Sequence, residues 1–222
     1  MSQKTIYFAG ALFCSKDLVG NALLTREIHN LSDNRYLCML PQNREQRETT
    51  ALAIRNQDIL MVATSDLGLF HFDGTELDSG TVVEYMVAKF LDIPSVIIRT
   101  DFRKAGDDEN FPWNLMASNF PRTKVIALDA MASYQAPLRK FNLPDSKLVE
   151  VAEAGVSAAI ESTKEIATKI VAAFDQVVTE APLLSGVNLS KTFEWVSKMV
   201  GGNFDKLLTE DLIKEITLRR NN

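Results

Sequence analysis

Two cysteines and two histidines in 222 residues leave this chain few of the side chains that build disulfide frameworks or transition-metal centres. Cys14 and Cys38 have no CxxC spacing, and His29 and His71 complete no ligand set, so no metal is expected and both thiols read as structural. Positive charge is also scarce. The formal net charge is −5 and the lysines and arginines are scattered, which argues against polymeric nucleic acid or an anionic membrane as partner. A long charge-free apolar run is absent, so no transmembrane helix is expected. The start MSQKTIYFAG has no basic region, apolar stretch and cleavage site of the signal-peptide kind, so the expected location is cytoplasmic. No internal repeat or low-complexity linker is present.

What the chain does have is a hydrophobic content of 46%, enough for the core of one ordinary domain plus an extension. Short β-rich runs occur at Thr5 to Ala9, Tyr36 to Leu40, Ile59 to Ala63, Ser95 to Ile98 and Lys124 to Leu128. Four of them are nearly continuous apolar segments, as strands buried on both faces of a parallel sheet should be. Helix candidates at about 16–30, 45–56, 79–91 and 112–119 alternate with them. The expected fold is therefore α/β, a doubly wound five-stranded parallel sheet of the flavodoxin-like or Rossmann-like kind, over residues 1–144. From 145 to 222 only helical patterns occur, and this C-terminal helical extension is expected to serve packing or oligomerisation. Ligands of such sheets bind at the carboxyl ends of the strands near the switch in strand order. The segments Gly10 to Phe13, Thr64 to Asp78 and Thr100 to Trp113 should accordingly meet at one cleft, the second of them as a long loop.

Within the candidate helix opening near Ser79, Val83, Met86, Val87, Phe90 and Leu91 recur at helical spacing and are expected to face a core. Lys89 and Asp92 take the solvent positions. Glu84 borders the apolar face between Gly80 and Ala88 on the i, i+4 row, which sets its carboxyl over a hollow beside backbone. A Glu in the first turns can equally serve the helix dipole or snorkel outward.

Tyr7 in the first strand, Gly10 and Phe13 just after it, Asp78 six residues before Glu84, and Asn114 opening Asn-Leu-Met complete a set. The ordered pieces IYFAGALF (6–13), DILMVA (58–63, read as strand), DSGTVVEYMVAKFLDIP (78–94), RTDFR (99–103) and NLM (114–116) resemble the nucleoside 2-deoxyribosyltransferase family. The resemblance implies an enzyme without cofactor, acting on a deoxynucleoside and a free nucleobase. It implies Glu84 as the nucleophile at the anomeric carbon, Asp78 as the carboxylate holding sugar hydroxyls and Tyr7 as the hydroxyl orienting the nucleophile. It implies Phe13 as an aromatic wall for the base, beside Gly10, and Asn114 and Met116 as the segment reaching a neighbour's site in a homo-oligomer with shared active sites. Taken singly, Tyr7 and Phe13 could also be core aromatics and Asn114 a helix cap.

The residue types suit the chemistry. A carboxylate stabilises an oxocarbenium-like transition state and traps it as a glycosyl-enzyme, and a second base attacking from the vacated face gives net retention. The leaving base needs an acid. Relatives carry Asp or Asn eight residues before the acid that opens the third strand. With Asp58 taken as that opening residue, the position is Thr50, which leaves Glu48, Asp73 and Glu76 as substitutes. In some relatives the chain ends soon after the fifth strand; here a helical extension follows instead.

Two rival readings remain. A deoxynucleoside or deoxynucleotide hydrolase on the same fold would use water as acceptor, but the 5′-phosphate type tends to carry an Arg-rich first loop and Ser in place of Asp78. A non-catalytic nucleotide-binding or assembly module would not need a nucleophile.

Overall fold

The computed structural model describes residues 3–44, 50–101, 103, 113–144 and 146–221. Strands β1 (Lys4–Gly10), β2 (Tyr36–Met39), β3 (Leu67–His71), β4 (Ser95–Arg99) and β5 (Thr123–Ala127) form one sheet in the order β2-β1-β3-β4-β5. Every pairing is parallel. The expected doubly wound α/β fold is thus observed, and the strand order reverses between β1 and β3.

Alternation along the strands sorts side chains onto two faces. Ile6 and Phe8 point to one side, where Leu69, Val96 and Ile98 join them beneath α1 (Ser15–Leu31) and α5 (Leu148–Val177). Tyr7 and Ala9 point to the other, with Phe70 and Ile97, beneath α2 (Ala51–Thr64) and α3 (Ser79–Phe90). The helices after the sheet cover both layers. Ala167, Ile170 and Phe174 of α5 belong to the first core, whereas Phe193 and Val196 of α6 (Gly186–Val200) and Ile213 and Ile216 of α7 (Glu210–Asn221) belong to the second. Helix α4 (Ala130–Arg139), a segment with no assigned expectation above, packs on α5.

Three expectations need correction. The run Ile59 to Ala63 is not a strand but the second half of α2. Its helix is opened by Thr50, whose hydroxyl accepts a hydrogen bond from the Ala53 amide at 3.2 Å. A short buried apolar run cannot be told from a strand by periodicity alone. The actual third strand lies within the segment expected to be a long loop. Gly68 sits in its interior because the Phe70 ring folds over it, and a Cβ there would stand 2.4 Å from the ring.

Second, the solvent face of α3 is not where the spacing put it. Val87 and Leu91 are buried and Met86 partly so, but Val83 and Phe90 are exposed, and Tyr85 takes the core position instead. Asp92 is 7% exposed. It pairs with Arg122 at 2.8 Å and accepts amide hydrogen bonds from Leu183 and Leu184, tying the extension to the amino ends of the strands. Lys89 turns its ammonium onto the Pro121 and Arg122 carbonyls.

Third, the candidate helix at 112–119 is one turn over its described residues, capped by the Asn114 side chain. The candidate at 45–56 begins only at Ala51, and 45–49 lie outside the described residues.

Candidate active site

At the switch point, the carboxyl end of β1 and the start of α3 border a cavity of about 630 Å³. Glu84 lies in it, on the turn of α3 facing β1. Its Oε1 accepts a hydrogen bond of 2.6 Å from the Tyr7 hydroxyl, which β1 projects from the same face of the sheet. Tyr7 is 1% exposed, and burial, followed by the Glu84 charge, pushes its phenol far above the usual range, so it stays a donor. Burial, opposed by the Tyr7 hydrogen bond and aided by the charges of Asp58 and Asp78, raises the Glu84 carboxyl to about 7.

Asp78 is the N-cap of α3. Its Oδ2 accepts from the Thr81 amide at 2.8 Å and the Thr81 hydroxyl at 2.7 Å, which leaves Oδ1 for another partner. The cap fixes the carboxylate at the cavity wall beside Glu84. Gly10 and Phe13 line the same cavity; Phe13 is 79% exposed, at its mouth. At Gly10 a Cβ would meet the His71 Cβ at 3.1 Å, so glycine lets the end of β1 lie against β3.

The third carboxylate of the cavity is Asp58, which the sequence reading assigned to the start of a strand. It sits instead on α2, and burial raises its carboxyl above the usual range. The misplaced strand hid it. Once β3 is seen to follow Asp66, the position eight residues earlier is Asp58 rather than Thr50. Of the substitute acids, Asp73 faces a separate cavity on the opposite side of the sheet, where its carboxylate accepts from Thr100 and stands 2.8 Å from His71. Glu76 is exposed and does not line the Glu84 cavity. Glu48 lies outside the described residues. Arg44 and Ile54 also line the site, and no motif marked them.

Asn114 and Met116 do not line this cavity. The Asn114 Oδ1 accepts from the Met116 and Ala117 amides, both at 3.0 Å, as the cap reading had it, while Leu115 and Met116 are 58% and 82% exposed. The segment Thr100 to Trp113 does not converge here over its described ends: Thr100 faces the Asp73 cavity and Trp113 stacks on Phe72. Among the described residues, no cluster of three or more His, Cys, Asp or Glu could hold a metal ion, and no helix is long and apolar enough to cross a membrane.

Comparison with known proteins adds the following. A family model described as nucleoside 2-deoxyribosyltransferase matches residues 6–116. Among solved structures, a conserved protein from Enterococcus faecalis V583 is 28% identical, with 57% of this chain and 92% of that one covered and a TM-score of 0.48. A 2-desoxiribosyltransferase from Leishmania mexicana is 22% identical, with 63% and 99% covered and a TM-score of 0.45. A 2-deoxyribosyltransferase from Bacillus psychrosaccharolyticus is 17% identical, with 52% and 81% covered and a TM-score of 0.39. The search of curated proteins gave no match.

Proposed function

From the premise that the chain belongs to the nucleoside 2-deoxyribosyltransferase family, we propose that it transfers 2-deoxyribose between nucleobases through a covalent ester on Glu84. The observation carrying this reading is the convergence of Asp58, Asp78 and Glu84 on one cavity, with Glu84 held by the buried Tyr7 hydroxyl. Ionised Glu84 attacks the anomeric carbon as the bond from that carbon to the base nitrogen breaks. The bonding pair leaves with the base. Protonated Asp58 donates to a ring nitrogen of that base, the role its raised carboxyl suits. The free Oδ1 of Asp78 accepts from a sugar hydroxyl. A second base then attacks the same carbon from the opposite side, returns its proton to Asp58 and frees Glu84, so that two inversions give net retention.

Burial is what gives the Tyr7 hydroxyl its use. A nucleophile at about 7 is half protonated at neutral pH, and the single hydrogen bond keeps it from rising further while fixing its lone pair. We also assign the substrate as a nucleoside rather than its 5′-phosphate, because the Asp78 and Glu84 carboxylates assigned to the sugar would repel a phosphate attached to it. Asn114 and Met116, which do not line their own subunit's cavity, with Met116 largely exposed, are proposed to complete the site of a second subunit.

The test is incubation with a deoxynucleoside, with and without a different free base, followed by chromatography of bases, sugar and nucleosides. New nucleoside formed in preference to free deoxyribose is expected. Release of deoxyribose at the same rate whether or not an acceptor base is present would make the protein a hydrolase and overturn the transfer reading.

A further inference from the structure

Of the residues lining the cavity, Glu84 and Asp78 are taken up by the sugar on the reading above. What remains for the base is bounded by Phe13, Arg44, Ile54 and Asp58. Arg44 is the one cation among the described residues lining this cavity, and it stands beside Asp58, since the two also line an adjoining cavity of about 290 Å³ along α2. Among the described residues its Nη2 meets only the Met39 sulfur, at 3.5 Å, a contact weak enough for a ligand to displace. Gln42, another polar side chain lining the cavity, is already engaged: its Nε2 donates to the Leu18 carbonyl at 2.9 Å and its Oε1 accepts from Asn21 at 3.3 Å.

A guanidinium offers five donors and no acceptor. A carboxyl that delivers a proton to a leaving base is likewise a donor at that moment. Two donors side by side fit a base edge that presents two acceptors side by side. The N7 and O6 edge of a 6-oxopurine does so, whereas adenine sets an amino group where the second acceptor should be.

We propose that Arg44 selects the base, so that the site favours 6-oxopurines over adenine. The inference rests on the deoxyribosyl-transfer reading above. Deoxyinosine and deoxyadenosine differ at the edge in question and share the same sugar, so their comparison isolates the base.

The test measures kcat/KM for both deoxynucleosides, and calorimetric Kd for hypoxanthine and adenine, on the wild type and on Arg44→Gln, whose amide can accept from an amino group. Wild type should favour deoxyinosine about tenfold or more, on the scale of one hydrogen-bonded edge against a mismatched one. Arg44→Gln should bring the ratio to within about threefold, mostly through KM. Equal use of the two substrates by wild type, or an unaltered ratio in a folded Arg44→Gln protein, overturns the proposal. If neither deoxynucleoside is cleaved, the transfer reading fails, and the base Kd values then decide on Arg44: an Arg44-dependent preference for hypoxanthine upholds its role, and equal binding refutes it.

Discussion

Removing one hydroxyl should move the pH profile of this protein in a known direction. Tyr7→Phe keeps a buried ring in the core beneath α3 and deletes only the 2.6 Å hydrogen bond to Glu84. A hydrogen bond to a charged group contributes about 1.5–3 kcal/mol, and the same donor against a neutral carboxyl about 1 kcal/mol. The difference favours the ionised form by roughly 0.5–2 kcal/mol, which is about one pH unit at about 1.36 kcal/mol each. Attack needs Glu84 ionised and Asp58 protonated, one proton between the two carboxyls, so the wild-type kcat/KM should be bell-shaped, with the alkaline limb, where the pair loses that proton, near 7. In Tyr7→Phe the limb should lie about one unit higher, with a several-fold loss at pH 7 that narrows at pH 9. Because Asp58 and Asp78 also act on Glu84, the limb belongs to the group of carboxylates and not to Glu84 alone. The assay is kcat/KM for one deoxynucleoside from pH 5 to 9. A limb that stays in place or moves to lower pH would refute the assignment of Tyr7 as the group that favours the carboxylate.

Further consequences concern the other members of the site. Asp58→Asn should lose about 10²–10⁴ in rate with ordinary bases, and near wild-type turnover would remove Asp58 as the acid. Glu84→Gln should stabilise the fold. A carboxyl whose folded pKa is about 7 and unfolded value about 4.3 contributes its proton-linked stability in full below the lower value and loses it as pH rises through the upper one. The gap in Tm between Glu84→Gln and wild type should therefore open between pH 4 and 8, to about ten degrees for roughly 3–4 kcal/mol; a gap independent of pH would contradict the burial argument. For the shared site, inactive Glu84→Ala mixed with inactive Asn114→Ala should recover part of the activity once subunits exchange, and no recovery would confine Asn114 to its capping role.

How far the sequence reached is clearest where it went wrong. The strands β1, β2, β4 and β5 were legible because apolar runs between turn signals have few alternatives in a parallel sheet. The third failed on a real ambiguity: Ile59 to Ala63 is as apolar as a strand, while β3 carries Gly68 in its interior and looked like loop. That single shift concealed Asp58, although a helix running from Thr50 would have carried it naturally. Glu84, Asp78 and Tyr7 were singled out together by the family resemblance, whose ordered pieces carry all three, while helical spacing alone left Glu84 open between the cavity and solvent. The outer face of α3 was not legible. Phe90 is held edge-on by Trp195 at 5.8 Å, Tyr85 reaches the Ala117 carbonyl at 2.7 Å, and Asp92 meets Arg122 and Leu183. These contacts join parts of the chain whose proximity only the fold creates. Arg44 was unmarked for a similar reason, as its place in the cavity depends on how the end of β2 meets α2.

The central claim is a sugar covalently held on Glu84. Wild-type protein mixed with a deoxynucleoside in the absence of acceptor, quenched in acid and measured by intact mass spectrometry, should gain the mass of one deoxyribosyl group. The adduct should map to the peptide containing Glu84 and vanish when a free base is added before the quench. Glu84→Ala should show no adduct and a loss of at least about a hundredfold in turnover, roughly 3 kcal/mol of transition-state stabilisation. Product formed at wild-type rate by a folded Glu84→Ala protein, or an adduct that persists without Glu84, would contradict the account.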